Sequence, residues 1–173
     1  NRIVLLSIHN DYKGQGDNDL WQKPKTQSEK LIRSYKRQFG IKQEDVHIIK
    51  DFNHKNDLDE QLSALANKLS VADILFVHYG GHGVMIEKNN KHYLVPNGLY
   101  GAVRSGKGED FLRFKMPETK WLLNNIAELL KDPEDEKTKF LHFTVDACKE
   151  YIDISESAKN RGKTKLKNYI PNL

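Results

Sequence analysis

The chain has 173 residues, of which 38% are hydrophobic and 30% are charged, and its formal net charge is +4. This length fits one globular domain with a sizeable core, and the composition is that of an ordinary globular protein. The longest apolar run, residues 72–77, is interrupted by Asp73 and is far too short for a transmembrane helix, so no membrane association is expected.

Charge and cysteine content set further limits. A single cysteine excludes an internal disulfide, and no signal peptide is visible, so a cytoplasmic protein is expected, with the natural start left open upstream of Asn1. A solvated loop explains the late basic cluster better than a nucleic-acid surface, because no aromatic residue interleaves with it before Tyr169. The cluster consists of Lys159, Arg161, Lys163, Lys165 and Lys167.

The first half of the chain alternates strands and helices. Residues 2–8 form an almost continuous apolar run, which is typical of a strand buried on both faces. Residues 10–25 are polar and predict a long loop. Residues 26–39 have apolar side chains at helical spacing and stop at Gly40, a suitable C′ residue. A second strand at 46–49 and a second helix at 57–69, capped by Asn56 or Asp57, follow.

The second half repeats this alternation. A third strand at 74–79 is expected to end at a glycine-rich segment, residues 80–83, and a hairpin at 84–95 to turn at Asn89-Asn90. Residues 96–116 contain four glycines and predict an exposed loop. A third helix spans 117–130, with Pro117 or Glu118 in its first turn, and a fourth strand spans 140–145.

This order predicts an α/β fold, a mostly parallel sheet with helices on both faces. We expect residues 1–150 to form the catalytic domain and residues 151–173 to form a basic linker or processing segment. In such sheets functional groups gather beyond the carboxyl ends of the strands.

Two strand ends carry residues capable of catalysis. Cys148 lies three residues past the fourth predicted strand, and His82 lies three residues past the third. If these strands are neighbours, about 4.8 Å apart, equal overhangs bring both side chains into one cleft. A thiol beside an imidazole is the arrangement of a cysteine protease. The backbone N–H groups of Gly83 and Cys148 are candidate oxyanion donors.

Simpler interpretations compete with this one. A single buried cysteine is usually a small core residue, and a single histidine after a strand is often structural. A zinc pair formed by His78 and His82 needs a helix to place positions i and i+4 on one face, and no clear third ligand is present. No metal or cofactor is therefore expected. A flavodoxin-like nucleotide binder would need a phosphate-binding loop after the first strand, and only Gly14 and Gly16 occur there.

Both segments resemble the motifs of a known superfamily. Residues 76–83, Phe-Val-His-Tyr-Gly-Gly-His-Gly, resemble the histidine motif of caspases, metacaspases and paracaspases, and residues 144–148, Thr-Val-Asp-Ala-Cys, resemble their cysteine motif. The resemblance covers about residues 2–150. It implies a caspase-like three-layer α/β/α sandwich, with His82 as catalytic histidine, Cys148 as nucleophile and Gly83 in the oxyanion hole. The spacing of 66 residues between the two motifs exceeds the ~50 typical of caspases.

Asp146 indicates the class of substrate. The resemblance to metacaspases and paracaspases implies that this acid lines the pocket for an Arg or Lys before the scissile bond, and a carboxylate also suits a guanidinium on chemical grounds. The alternative is an Asp that caps the turn after a strand. The second pocket acid of metacaspases aligns with Gln27, for which Asp17, Asp19 or Glu29 could substitute.

Other features of the sequence limit which members of this superfamily it resembles. Residues 87–91 hold one carboxylate and two lysines where calcium-dependent metacaspases have an acidic stretch, so calcium activation is not supported. A paracaspase-like or divergent member is favoured. The family sheet has six strands, and this chain supplies about four. The fold is therefore expected to be incomplete without a small-subunit fragment, and the basic segment at 159–167 is a candidate self-cleavage site. The rival function is a catalytically silent caspase-like signalling or scaffold module.

Overall fold

The structure is a computed structural model that describes residues 1–12, 22–86, 90–99, 115–131, 139–147 and 150–152, with the backbone alone for 22–25 and 150–152. The helices in this part of the chain are α1 (Gln22–Phe39), α2 (Lys55–Leu69) and α3 (Thr119–Leu129). The strands are β1 (Ile3–His9), β2 (Val46–Lys50), β3 (Ile74–Gly81), β4 (Gly83–Ile86), β5 (Lys91–Leu94), β6 (Phe140–Ala147) and β7 (Glu150–Ile152).

The strands form two sheets. The main sheet has the order β2-β1-β3-β6, and every neighbouring pair in it is parallel. The second sheet has the order β5-β4-β7, in which β4 and β5 form an antiparallel hairpin and β4 and β7 pair in parallel. The predicted α/β class, the mostly parallel sheet and the adjacency of the third and fourth predicted strands are confirmed.

Alternating side chains of the main sheet face different helices, as the two-residue period of a strand requires. One face carries the main apolar core and is covered by α2 and α3. Its central residues on β1 and β3 are Val4, Leu6, Ile8, Leu75, Val77 and Tyr79. On the other face Phe76 of β3 stacks on Phe39 of α1, with ring centroids 4.8 Å apart. The helices therefore lie on both faces of the sheet.

All three helices begin at a residue other than the predicted one, and α3 begins at Thr119 with Glu118 as its N-cap, so neither Pro117 nor Glu118 lies in its first turn. α1 begins at Gln22 rather than at residue 26, and it ends before Gly40, whose φ of 65° is the left-handed conformation expected there. The cap of α2 is His54, not Asn56 or Asp57, because its Nδ1 accepts the Asp57 N–H at 3.0 Å. An imidazole nitrogen thus takes the place of the usual cap oxygen.

Strand β3 also runs further than predicted. It continues through Gly80 and Gly81, because Gly80 pairs with His9 of β1 and both glycines pair with β6, at Asp146 and Ala147. Accordingly β6 extends to Ala147. Strand β7 was not predicted at all, since its three residues have no periodicity and depend on pairing with β4.

Residues near both ends of the predicted 96–116 loop are buried. Leu99 and Met116 join Tyr12, Val84 and other residues in a second apolar cluster beside the small sheet, which contradicts an exposed loop at those two points. The intervening residues 100–114 and the basic segment 153–173 lie outside the described residues, so the domain boundary at residue 150 stays a prediction. Within the described residues, no helix combines the length and apolar character needed to cross a bilayer.

Candidate active site

His82 occupies the joint between the two sheets. It is the single residue between the end of β3 at Gly81 and the start of β4 at Gly83. This places it at the carboxyl end of the parallel main sheet, the edge at which functional groups of such folds gather. Its side chain is half-buried.

Cys148 lies outside the described residues, so its side-chain position stays a prediction. The strands on either side of it are described, however. Gly81 pairs with Ala147 in the main sheet, and Val84 pairs with Glu150 in the small sheet. The register offset is therefore 66 residues in both sheets (81 to 147 and 84 to 150). The same offset separates His82 from Cys148 in the sequence.

Two tyrosines contact the backbone of His82. The hydroxyl of Tyr12 accepts the His82 N–H at 2.9 Å and donates to the Val95 carbonyl at 2.6 Å. The hydroxyl of Tyr79 donates to the His82 carbonyl at 3.0 Å. The Tyr12 ring also packs against the imidazole, with the two centroids 4.6 Å apart and the planes tilted by 56°.

The glycines around His82 are not required for a left-handed backbone conformation. None of Gly80, Gly81 and Gly83 has a positive φ, since all three are in extended strands. Gly81 is required for space instead. A Cβ there would lie 2.6 Å from the Tyr79 hydroxyl and 2.9 Å from the Tyr12 hydroxyl.

The amide of Gly83 is directed away from β5. Because Val95 N–H donates to the His82 carbonyl at 2.9 Å, Gly83 and Leu94 form a non-hydrogen-bonded antiparallel pair. In such a pair the N–H groups point outward, so that of Gly83 faces the side of β4 on which β7 lies. This direction suits the predicted oxyanion donor, because Cys148 precedes β7 by two residues.

Asp146 is a solvent-exposed carboxylate on β6. It lies within the strand rather than after it, and its backbone is in register with Gly80, which in turn is in register with His9 of β1. All three positions are on the face of the main sheet that α1 covers. Glu29 lies on α1, the helix that covers this face, and its negative charge opposes the lowering of the His9 pKa. Asp146 and Glu29 therefore lie on the same side of the main sheet.

Two buried histidines lie beneath this region. His9 and His78 are each 4% exposed, and burial lowers the pKa of both imidazoles despite the nearby carboxylates of Asp11 and Asp146. Thr144 Oγ1 donates to the Val77 carbonyl at 3.1 Å, so it accepts from His78 Nδ1 at 3.2 Å. His78 is therefore neutral with its proton on Nδ1, and it is a packed residue, as expected from its strand position.

The zinc pair considered from the sequence has no supporting geometry. His78 faces α1 and bonds to Thr144, whereas the imidazole of His82 packs against Tyr12. In the part of the chain that the structure describes, no three His, Cys, Asp or Glu side chains are grouped as metal ligands.

Comparison with models of known protein families and with curated proteins found no match for this chain. The site is therefore interpreted from its own residues.

Sequence reasoning overlooked Tyr12 as a member of the site. Tyr79 stood inside the histidine motif, but Tyr12 follows β1 in a polar segment and has no motif of its own. The available signal was a large aromatic residue just beyond the carboxyl end of a central strand, where ligands and catalytic groups are expected.

Proposed function

We propose that this chain is the catalytic part of a caspase-like cysteine endopeptidase in which His82 and Cys148 form the dyad. Two parallel strand pairs support the proposal. The pair β3–β6 and the pair β4–β7 keep one register offset across the segment in which both residues occur. A dyad needs an imidazole and a thiol at opposing positions, and an equal register on both sides of the segment supports such a placement of His82 and Cys148.

The proposed reaction is acyl transfer to the thiol. His82 accepts the proton of Cys148, and the thiolate attacks the peptide carbonyl carbon to form a tetrahedral oxyanion. The amides of Gly83 and Cys148 donate to that oxyanion. Loss of one such donor costs about 2.7–4 kcal/mol of transition-state stabilisation. The C–N bond then breaks, and the leaving amine takes the proton from His82.

Hydrolysis of the thioester completes the cycle. His82 accepts a proton from water, the hydroxide adds to the acyl carbon, and the C–S bond breaks to release the carboxylic acid and regenerate the thiol. Proton transfer by a positioned imidazole contributes about 10²–10⁴-fold to such steps. A free cysteine thiol has a pKa near 8.5, so its reactivity at neutral pH depends on this neighbour.

The proposed substrate has Arg or Lys before the scissile bond. Asp146 supplies the carboxylate, and its exposure leaves it accessible to a substrate cation. Of the acids that could act as the second pocket acid, Glu29 is the one that lies within the described residues, and its charge acts on His9 at the same end of the sheet. A guanidinium between two carboxylates forms charge-assisted hydrogen bonds that an acidic side chain cannot form.

A further strand-forming segment is proposed as the structural partner. β6 is the outer strand of the main sheet, and Phe140 at its start is 61% exposed. An unpaired edge with exposed apolar side chains is a surface that natural sheets cover. A small-subunit fragment would complete both the sheet and the substrate cleft. The cytosol is the proposed compartment, since a single reactive thiol stays reduced there.

Two measurements on the full-length protein test the proposal. Fluorogenic peptides with Arg, Lys, Asp or Asn before the scissile bond should show cleavage after Arg and Lys, lost in His82→Ala and Cys148→Ala. An Arg-chloromethylketone should label Cys148 faster than the corresponding Asp compound does. The exposed His142 provides a matched control, since His142→Ala should keep activity. A folded protein that cleaves none of the peptides and labels at equal, slow rates would support the silent module instead.

A further inference from the structure

The segment that follows β1 contacts His82 at the end of the neighbouring strand β3. Tyr12 lies three residues beyond the end of β1, yet its hydroxyl contacts the backbone of His82 and that of Val95. This hydroxyl both accepts and donates a hydrogen bond, so its orientation is fixed. It is 3.4 Å from the Tyr79 hydroxyl, so the two phenols form a polar contact between the second apolar cluster, which contains Tyr12, and the main core, which contains Tyr79.

The conformation of Tyr12 is itself held by other elements. Its φ of 53° lies in the left-handed region, which costs energy for a residue with a Cβ. Two side-chain acceptors stabilise this turn: Asn97 Oδ1 accepts the Tyr12 N–H at 2.8 Å, and Asp51 Oδ1 accepts the Asp11 N–H at 2.7 Å. A strained residue anchored in this way indicates a functional requirement for its position.

Tyr79 approaches His82 from within β3. Burial, reinforced by the neighbouring Tyr12, raises the pKa of Tyr79 well above the ordinary phenol value. The phenol therefore stays protonated at neutral pH and can donate to the His82 carbonyl. The same carbonyl accepts the Val95 N–H at 2.9 Å. Both polar groups of the His82 backbone are thus bonded, and the fit requires that Gly81 has no side chain.

We propose that Tyr12 and Tyr79 are positioning residues that fix the His82 imidazole for proton exchange with the nucleophile. The proposal rests on the proposed protease function. Tyr12 acts at two points, because its hydroxyl holds the His82 N–H while its ring packs on the imidazole. Tyr79 acts at one point, the carbonyl. An imidazole on a single residue between two strands has a defined direction only if that residue's backbone cannot rotate.

The expected effect lies in the chemical step. A misplacement of 1 Å in a catalytic group can cost about 10²-fold in rate, and removal of one positioning contact should cost less. We expect Tyr12→Phe, which keeps the ring and removes the hydroxyl, to lower kcat about tenfold with KM unchanged. Tyr12→Leu removes the ring as well and should lower kcat by a further ~10-fold. Tyr79→Phe should resemble Tyr12→Phe.

The test compares these variants with Tyr93→Phe in the full-length protein. Tyr93 is buried in the same apolar cluster as Tyr12, so it controls for loss of a buried hydroxyl. Each variant is assayed for kcat and KM on an Arg peptide, for the pH dependence of kcat/KM, and for its thermal unfolding midpoint. We expect the acidic limb of the pH profile of kcat/KM to shift in the Tyr12 and Tyr79 variants and to remain unchanged in Tyr93→Phe.

Three outcomes would overturn the proposal, and they are distinguishable. Wild-type protein that cleaves the peptide, with Tyr12→Phe and Tyr79→Phe retaining the kcat and pH profile of Tyr93→Phe, would exclude the positioning role alone. Wild-type protein that is folded but neither cleaves peptide nor shows His82-dependent reactivity of Cys148 would exclude the protease function, and the positioning role with it. A rate loss that follows unfolding midpoints across all variants, Tyr93→Phe included, would also exclude positioning.

Discussion

At the scale of single residues, the site depends on a glycine that leaves room for two tyrosine side chains. Gly81 precedes His82, and the two tyrosine hydroxyls fill the space in which its side chain would lie. The presence of Gly81 is thus explained by packing and not by a need for a positive φ. The same contacts make His82 sensitive to changes that do not touch its imidazole.

Gly81→Ala should therefore destabilise the protein and impair the site. Its Cβ would lie 2.6 Å from Tyr79 Oη, which no real Cβ contact tolerates, so the tyrosines or β3 must move. Overpacking of this kind costs about 1–3 kcal/mol, measured as the free energy of urea unfolding. Gly98→Ala is the matched control, since its nearest neighbour is 3.6 Å away. Equal stability of both variants would contradict the packing described around His82.

Asp146→Asn tests the proposed specificity at the same scale. Removal of the carboxylate should lower kcat/KM for Arg peptides by about 100-fold, as expected for loss of a charge-assisted pair worth ~2–3 kcal/mol. Peptides with an uncharged residue at that position should be affected far less. Asp59→Asn, the same charge change on the exposed side of α2, should leave the Arg preference intact. Retained Arg preference in Asp146→Asn would remove Asp146 from the substrate pocket.

At the scale of elements, the face of the main sheet beneath α1 is unusually polar. His9 and His78 are buried there with Ser7 and Ser28, while the opposite face is almost wholly apolar. Within the described residues, His78 Nε2 and His9 Nδ1 have no hydrogen-bond partner. A proton added at either nitrogen would create a buried cation with little compensation.

Stability should therefore fall on acidification. The folded pKa of both histidines is depressed, mainly by burial, whereas the unfolded pKa is 6.5. Below pH 6.5 the unfolded chain binds more protons, so the free energy of unfolding decreases from that pH down to the folded pKa values. Chemical unfolding at pH 7.5 and 5.5 measures the loss.

His78→Asn identifies the responsible group. An asparagine amide can still donate to Thr144 but does not titrate, so this variant should lose less stability between the two pH values than wild type. Other groups act on His78: Asp146 raises its pKa and His9 lowers it. His142→Asn, on the exposed side of β6, should behave as wild type. An unchanged pH dependence in His78→Asn would contradict the assignment.

Most elements could be predicted because their patterns are local. The apolar runs of β1, β3 and β6 and the helical spacing in α2 carry their own signals. β7 could not be predicted, because three residues derive their strand conformation from pairing with β4. For the same reason β3 was predicted two residues too short, since Gly80 and Gly81 are weak strand formers that depend on pairing with neighbouring strands.

At the scale of the whole molecule, the chain passes from the main sheet to the small sheet twice, once after β3 and once after β6. β3 leads into β4 through one residue, and β6 is followed by β7 two residues later. Because β3 and β6 are parallel, both strands end at the same end of the main sheet. The place of His82 at this end could be predicted, because the apolar strand that precedes it carries its own signal. The tyrosine contacts could not, since they depend on side-chain packing across 70 residues of sequence.

The outer edge of β6 is the other feature at this scale. Among the described residues β6 is the edge strand of the main sheet, and the exposed Phe140 on such a strand favours association between copies of the chain. Phe140→Lys should reduce concentration-dependent association, measured by light scattering. Val71→Lys, at an exposed apolar residue outside the strands, should have little effect. Association that is equal in both variants would show that β6 is not the surface responsible.

The pH dependence of thiol alkylation tests the central claim most directly. Cys148 is the only cysteine in the chain, so the rate of its reaction with iodoacetamide, followed by mass spectrometry, reports a single thiol. If His82 opposes Cys148, the rate should reach half its maximum well below pH 8.5 in wild type and near pH 8.5 in His82→Ala. Identical profiles near pH 8.5 in both proteins would show that the imidazole and the thiol do not meet.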